Sequence, residues 1–166
     1  MTASIPCRGF TVIELIAVIA VTSIVVGVAY SAWRTHTIRS QVAESAAAAR
    51  HLQDDVVADF RVSGELPSTA SDIGGIKRSA AVYPIASLFI ENGRIDLVYG
   101  READDAIVGR RLSLTPHETA DGQIVWICGN RIPEPGLRPL GFAGGGRQAV
   151  QVATTIEARY LPRVCR

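Results

Sequence analysis

A run of 19 residues without a charged side chain, Leu15 to Trp33, restricts the folds open to this 166-residue chain more than any other feature. As a helix it would be about 28 Å long, close to the ~30 Å hydrocarbon core of a bilayer. One carboxylate, Glu14, directly precedes the run, and a carboxylate in lipid is costly unless another group neutralises it. We therefore expect a membrane-inserted N-terminal segment in which Glu14 needs a partner charge.

Three interpretations of this segment differ in where the chain is cut. A secretory signal peptide cleaved after Ser31 would have an apolar region far longer than the usual ~7–15 residues. A plain transmembrane anchor leaves Glu14 unexplained. The third interpretation is a short polar leader, removed ahead of the apolar helix, because a leader ending in "RG" directly precedes the apolar "FTVIEL".

The helical pattern continues beyond the apolar run, because apolar residues recur at helical spacing with charged residues on the other faces. Gly64 and Pro67 supply the stop, so we predict a helix over residues 10–62, about 80 Å long if continuous. A head of some hundred residues cannot bury that length, and the first half must protrude into a membrane or a bundle of copies. The residues predicted to face the head are Val42, Ala46, Ala49, Val56 and Phe60.

The remainder of the chain is dominated by strand patterns. Asn92-Gly93 between two β-rich runs predicts a hairpin within residues 87–100. Two further strands are predicted at Leu112–Thr115 and Gln123–Cys128, whereas residues 63–85 and the segment after Cys128 are rich in Gly and Pro. The fold class is therefore α+β, with a long helix packed on a small antiparallel sheet.

The three cysteines are Cys7, Cys128 and Cys165. Loss of the leader removes Cys7 and leaves two cysteines that can pair in an oxidising compartment, with two buried free thiols as the alternative. Neither has a second Cys or a His nearby at metal-ligand spacing.

Charge and motifs argue against an enzyme or a general nucleic-acid binder. The chain has 17 basic and 16 acidic residues, and the three histidines are scattered. We predict no catalytic residue, no cofactor and no metal site. A local excess of arginines in the C-terminal region predicts either a weak phosphate-binding or surface-binding stripe or, more simply, solvated surface and subunit pairing. These arginines are Arg138, Arg147, Arg159, Arg163 and Arg166.

The octapeptide "RGFTVIEL" resembles the processing site of type IV prepilins. "RSQVAES", "WIC" and "ARYLPRVC" are similar to segments of the major subunits of type IVa pili. The resemblance implies cleavage between Gly9 and Phe10 by a prepilin peptidase and N-methylation of Phe10. It also implies pairing of Glu14 with the Phe10 amine of a neighbouring subunit, and a disulfide between Cys128 and Cys165.

On this resemblance we expect four parts, namely a leader (1–9), a filament-core half-helix (10–33), an amphipathic half-helix (34–62) and a globular head (63–166). The chain would be a homo-oligomeric pilus subunit of a Gram-negative bacterium, held in the inner membrane and then polymerised by the assembly machinery into a surface filament. Adhesion, twitching motility and DNA uptake are the expected uses, with a host surface or DNA as the partner of the filament. A minor pilin, a DNA-uptake pilin and a type II secretion pseudopilin are the alternatives. Ser23 and Ser31 replace the helix-breaking residues of the family, so melting of the helix in the filament stays open.

Overall fold

The computed structural model of the chain describes residues 10–73, 85–142 and 146–166. The expected leader, with Gly9, and part of the connecting loop lie outside the described residues. The chain divides into two compact units, Met1–His36 and Thr37–Arg166, and each is described by itself.

The first unit contains the beginning of helix α1 (Val12–Ala48). Its apolar side chains are exposed on every side, and Phe10 and Trp33 are each 72% exposed. Within the described residues, one helical span, Val12–Ser63, is long and apolar enough to cross a membrane. Its most apolar window has a mean hydropathy of 2.6 and no buried residue. The uncharged run is therefore helical, with no covering surface in the single chain.

The second unit begins with the rest of α1 and continues into α2 (Arg50–Ser63). Only Ala49 separates the two helices, and Ala49 still bonds to the Ser45 carbonyl at 3.1 Å. Gly64 ends α2 in a left-handed conformation (φ 75°), and its N–H donates to the Phe60 carbonyl at 2.9 Å. The predicted long helix and its glycine stop are confirmed, with one irregular residue at Ala49.

One stripe of this helix pair is buried against the head. Of the predicted contact residues, Val42, Ala49 and Val56 are fully buried, whereas Ala46 and Phe60 are partly buried. The prediction did not include three further buried residues of the same face, which are Ile38, Ser45 and Leu52.

An antiparallel sheet with strand order β1-β2-β3-β4 packs on this stripe, and β5 pairs with one end of β3. The strands are β1 (Ile85–Glu91), β2 (Arg94–Tyr99), β3 (Arg111–Glu118), β4 (Ile124–Cys128) and β5 (Arg138–Pro139). The α+β class is confirmed.

The predicted hairpin is confirmed as the β1-β2 connection. Asn92 (φ 50°) and Gly93 (φ 75°) both have positive φ, as a two-residue type I′ turn requires. The Gly93 N–H donates to the Pro67 carbonyl at 2.9 Å, so the turn is also fastened to the segment that follows α2.

Strand β3 is longer than the predicted Leu112–Thr115, because it continues through Pro116 to Glu118. Proline is normally excluded from a central strand since it lacks an N–H. Here the pairing of β2 with β3 begins at Ile95, opposite Leu114, so Pro116 lies beyond the paired part of β2. The Pro116 carbonyl instead accepts the N–H of Leu140 at 3.1 Å. The proline therefore leaves no β2 hydrogen bond unmade.

The sheet face that meets the helices is apolar. Its buried residues are Ile95, Leu97, Tyr99, Leu112 and Leu114. Burial raises the pKa of Tyr99 to about 12, and the nearby Ser45 hydroxyl offsets part of that rise. The phenol therefore stays neutral at physiological pH in the helix–sheet core.

The opposite sheet face is polar, and it is also buried. Arg94 and Asp96 form an ion pair at 2.9 Å, with each side chain only 6% exposed. Burial would lower the pKa of Arg94, but hydrogen bonds and charge from Asp96 and Glu91 outweigh it, and the pKa is raised. The Ser113 hydroxyl donates to Asp96 at 2.6 Å, and Arg94 donates to the Val150 carbonyl at 3.2 Å. The ion pair thus attaches the C-terminal segment to the sheet.

A disulfide joins Cys128, at the end of β4, to Cys165. This confirms the expected pairing. Gly129 follows with φ 67°, and a Cβ at this position would collide with the Cys165 carbonyl oxygen. The Asn130 N–H donates to that same oxygen at 3.2 Å. The last residues of the chain are therefore fixed to the end of β4 by a covalent bond and a hydrogen bond.

We expect Gly129→Ala to lower the free energy of unfolding of the head by about 2–3 kcal/mol, because it adds backbone strain and a clash with the Cys165 carbonyl. The matched control is Gly136→Ala, where φ is 98° but no atom lies within 4 Å of the new Cβ. That control should cost about 1 kcal/mol from backbone strain alone. Urea unfolding of the detergent-solubilised chain, followed by tryptophan fluorescence, measures both. Equal losses would contradict the close approach at Gly129.

Candidate assembly site at the helix N-terminus

The first turn of α1 is closed by a reciprocal pair of side chains. The Thr11 N–H and hydroxyl both donate to the Glu14 carboxylate, at 3.4 and 3.2 Å. In return, the Glu14 N–H donates to the Thr11 hydroxyl oxygen at 3.4 Å. This is a capping box, in which residues three apart satisfy backbone donors that a helix N-terminus otherwise leaves unpaired.

The capping box determines where the Glu14 carboxylate lies. It is held over the positive end of the helix dipole, which favours a negative charge. Glu14 is nevertheless exposed, as is Phe10, the residue immediately before the cap. The arrangement places a carboxylate within one helical turn of the position where cleavage would create an amine.

Sequence reasoning identified Glu14 and missed Thr11. The available signal was the spacing "TVIE", a Thr followed three residues later by Glu just before an apolar run. Thr11 is a positioning residue, because it orients the carboxylate through two hydrogen bonds.

Hydroxyl side chains within the apolar run are satisfied inside the helix. Ser23 donates to the Ile19 carbonyl at 2.7 Å, and Ser31 donates to the Val28 carbonyl at 3.0 Å. The helix is continuous through both serines in the single chain. These polar groups therefore bring no unpaired donor into a membrane.

The five C-terminal arginines lie in two separate groups. Arg138 and Arg147 lie near the end of α2 and β5, where Arg138 lies over the Phe142 ring (5.9 Å) and Arg147 pairs with Glu65 (3.1 Å). The other three lie in the last eight residues, around the 3-10 helices Ala158–Tyr160 and Arg163–Cys165. The group of three consists of Arg159, Arg163 and Arg166.

Other titratable groups are dispersed. His117 is buried on the polar sheet face, with Nδ1 3.3 Å from the Thr115 carbonyl oxygen. In the stretches 10–73, 85–142 and 146–166, no three His, Cys, Asp or Glu side chains come together as a metal site would require. The N-terminal capping box is therefore the arrangement most directly linked to the sequence features described above.

Comparison with protein families gives two matches. Residues 38–166 match the pilin family, described as a bacterial filament family. Residues 6–30 match the prokaryotic N-terminal methylation motif, a range that includes the capping box and most of the uncharged run.

Individual relatives are similar over nearly the whole chain. A fimbrial protein of Neisseria meningitidis serogroup A / serotype 4A is 28% identical, over 96% of this chain and 94% of the relative. A type IV major pilin protein PilE1 of Neisseria gonorrhoeae is 30% identical, over 96% of this chain and 73% of the relative. Because the family match covers the head and the methylation motif covers the helix start, the chain belongs to the pilin family of bacterial filament proteins.

Proposed function

We propose that this pilin is processed after Gly9, methylated at Phe10 and polymerised through its N-terminal helix into a type IV pilus of identical subunits. Before assembly, residues 10–33 hold it in the inner membrane of a Gram-negative bacterium, where prepilin peptidase and the assembly machinery act on it. The filament then serves adhesion, twitching motility or DNA uptake at the cell surface. The observation that supports the proposal is the Thr11–Glu14 capping box at the start of an uncharged helical run whose side chains are exposed.

The exposed helix supplies the surface through which subunits pack in the filament. Covering apolar surface is worth about 25 cal/mol per Å² where the alternative is water. In lipid that gain is already made, so helix association has to rely on close packing and on polar contacts. A polar contact that is better satisfied between subunits than in lipid therefore favours the filament.

Glu14 provides such a contact. Cleavage after Gly9 creates an amine on Phe10 that stays basic when methylated. In a staggered bundle, the Glu14 carboxylate of one subunit meets the Phe10 amine of its neighbour, and each neutralises the other in a low-dielectric core. Thr11 favours this pairing because it holds the carboxylate at the helix end. The pair also sets the axial step between subunits, since other offsets leave both charges unpaired.

The charge of the mature chain is compatible with close stacking. The leader carries one charged residue, Arg8, so 17 minus 1 leaves 16 basic residues against 16 acidic residues. A neutral subunit approaches copies of itself without long-range repulsion.

Glu14→Leu should leave membrane insertion and leader removal intact and reduce filament yield by more than about tenfold, because the Phe10 amine loses its partner. The measurement is filament counts by electron microscopy of a pilin-deleted host that has a complete assembly machinery, alongside chain levels in its membranes. The control is Glu44→Leu, which removes an exposed carboxylate of the same helix that accepts a hydrogen bond from Ser40 (2.9 Å). Normal filament counts for Glu14→Leu would refute the pairing.

Sheared filaments from the wild-type strain should contain residues 10–166, methylated at Phe10, as their dominant chain by mass spectrometry. Gly9→Val should block leader removal, because a side chain is added at the residue before the cut, and the mass should stay that of residues 1–166. Gly27→Ala is the control, since its Cβ meets nothing within 4 Å and it lies outside the processing site. Leader removal from Gly9→Val would contradict the assigned cut.

A further inference from the structure

Four arginines lie at the C-terminal end of the head, and the side chains of two of them meet at the main-chain carbonyl of a third. The Arg39 Nε in α1 donates to the Arg159 carbonyl at 2.7 Å, and Arg166 donates to the same carbonyl at 3.4 Å. Arg163 lies between Arg159 and Arg166 in sequence, at the start of the 3-10 helix Arg163–Cys165. All four residues are exposed. We call Arg39, Arg159, Arg163 and Arg166 the C-terminal arginine cluster.

The cluster has a surplus of positive charge. Among the described residues one carboxylate, Glu157, pairs with a member, reaching Arg159 at 2.7 Å with both side chains at least half exposed. Four guanidinium groups against the Glu157 carboxylate and the α-carboxylate of Arg166 leave a surplus of two, and the exposed Arg159–Glu157 pair is weak.

The loop that contains Asp104 and Asp105 contacts the helix at Gln41. Asp104 donates its N–H to the Gln41 side chain at 3.3 Å. Gln41 lies two residues after Arg39, which is about 200° around the helix. The acidic loop and the arginine cluster therefore approach α1 from nearly opposite sides.

Apolar groups are exposed among these cations. Val164, between Arg163 and Cys165, is 65% exposed, and the Arg159 guanidinium lies 5.7 Å from the centre of the Tyr160 ring. Cations that flank an exposed aliphatic and an aromatic side chain are typical of surfaces that enter the headgroup layer of an anionic membrane.

Arg39 lies close in sequence to the predicted membrane segment. Arg39 follows Trp33, the last residue of the uncharged run, by six residues. Six residues reach at most about 20 Å even when fully extended. The hydrogen bond from Arg39 to Arg159 carries the rest of the cluster to the same place.

We propose that the C-terminal arginine cluster binds the phosphates of anionic phospholipid headgroups while the chain is held in the membrane before assembly. This rests on the membrane-held stage of the proposed function, and it adds a second contact with the bilayer besides the apolar helix. Duplex DNA is the competing ligand, but non-specific DNA affinity grows with the number of phosphates neutralised, and this cluster offers only four arginines. Arg138 and Arg147 lie apart from the cluster, so they do not extend it.

The test is amide hydrogen exchange of the full chain in lipid nanodiscs, read by mass spectrometry over residues 158–166. One set of discs contains only phosphatidylcholine, and in the other set one third of the lipid is phosphatidylglycerol. We expect exchange in this segment to slow by about threefold or more on the anionic discs and the difference to shrink at high salt.

Two variants with equal charge change distinguish the cluster from general electrostatic attraction. Arg163→Gln/Arg166→Gln should abolish the lipid-dependent slowing, whereas Arg138→Gln/Arg147→Gln should keep it. Exchange over β4 (Ile124–Cys128) reports whether each variant keeps its fold. The comparison of the wild-type chain between the two lipids does not depend on the folding of any variant.

Equal wild-type exchange in the two lipids would overturn the proposal, as would equal loss of slowing in both variants. Slowing of these amides by duplex DNA but not by anionic lipid would assign the cluster to DNA instead. Glu14→Leu is expected to keep the lipid effect while losing filaments, so the lipid contact and the assembly proposal succeed or fail separately.

Discussion

An apolar helix with no covering surface has to find one outside its own chain, and most features of this pilin follow from that constraint. Buried positions on the helical span begin at Ile38, whereas the side chains from Phe10 to Trp33 are exposed. In a membrane these side chains are covered by lipid, and in a bundle they are covered by copies of themselves. In the single chain the Glu14 carboxylate at the start of this segment accepts hydrogen bonds from Thr11, and in the proposed assembly it pairs with an amine of a neighbouring subunit.

Features that depend on neighbouring residues could be predicted from the sequence. The helix and its stop at Gly64 follow from local spacing, and the β1-β2 hairpin follows from Asn92-Gly93. Glu14 stood out because a single charge borders an uncharged run. The pairing of Cys128 with Cys165 followed from cysteine parity and from a family resemblance, and the structure has that bond.

Features that depend on distant residues could not be predicted from the sequence. The predicted strand ended at Thr115, whereas β3 continues through Pro116, which lies beyond the β2-β3 ladder and accepts the Leu140 N–H. The hairpin prediction did not show that Arg94 and Asp96 of β2 would be buried. No local pattern indicates that Val150, 56 residues beyond Arg94, supplies the carbonyl that completes this pair. The Thr11 cap is different, since its signal was local and was overlooked.

Main-chain groups at Ala149 and Val150 provide part of the attachment of the C-terminal segment to the rest of the head, beside the Thr154 and Thr155 hydroxyls and the disulfide. Arg94 binds the Val150 carbonyl, and the Ala149 N–H bonds to the Leu140 carbonyl at 2.9 Å. The side chains of Gln148, Val150 and Gln151 face solvent. Substitution at Gln148 or Val150 therefore leaves these bonds in place, whereas the Gln151 side chain also donates to the Arg131 carbonyl at 2.9 Å. Loss of Arg94 strands the buried Asp96, so the surface above this ion pair can vary in chemistry only while Arg94 is kept.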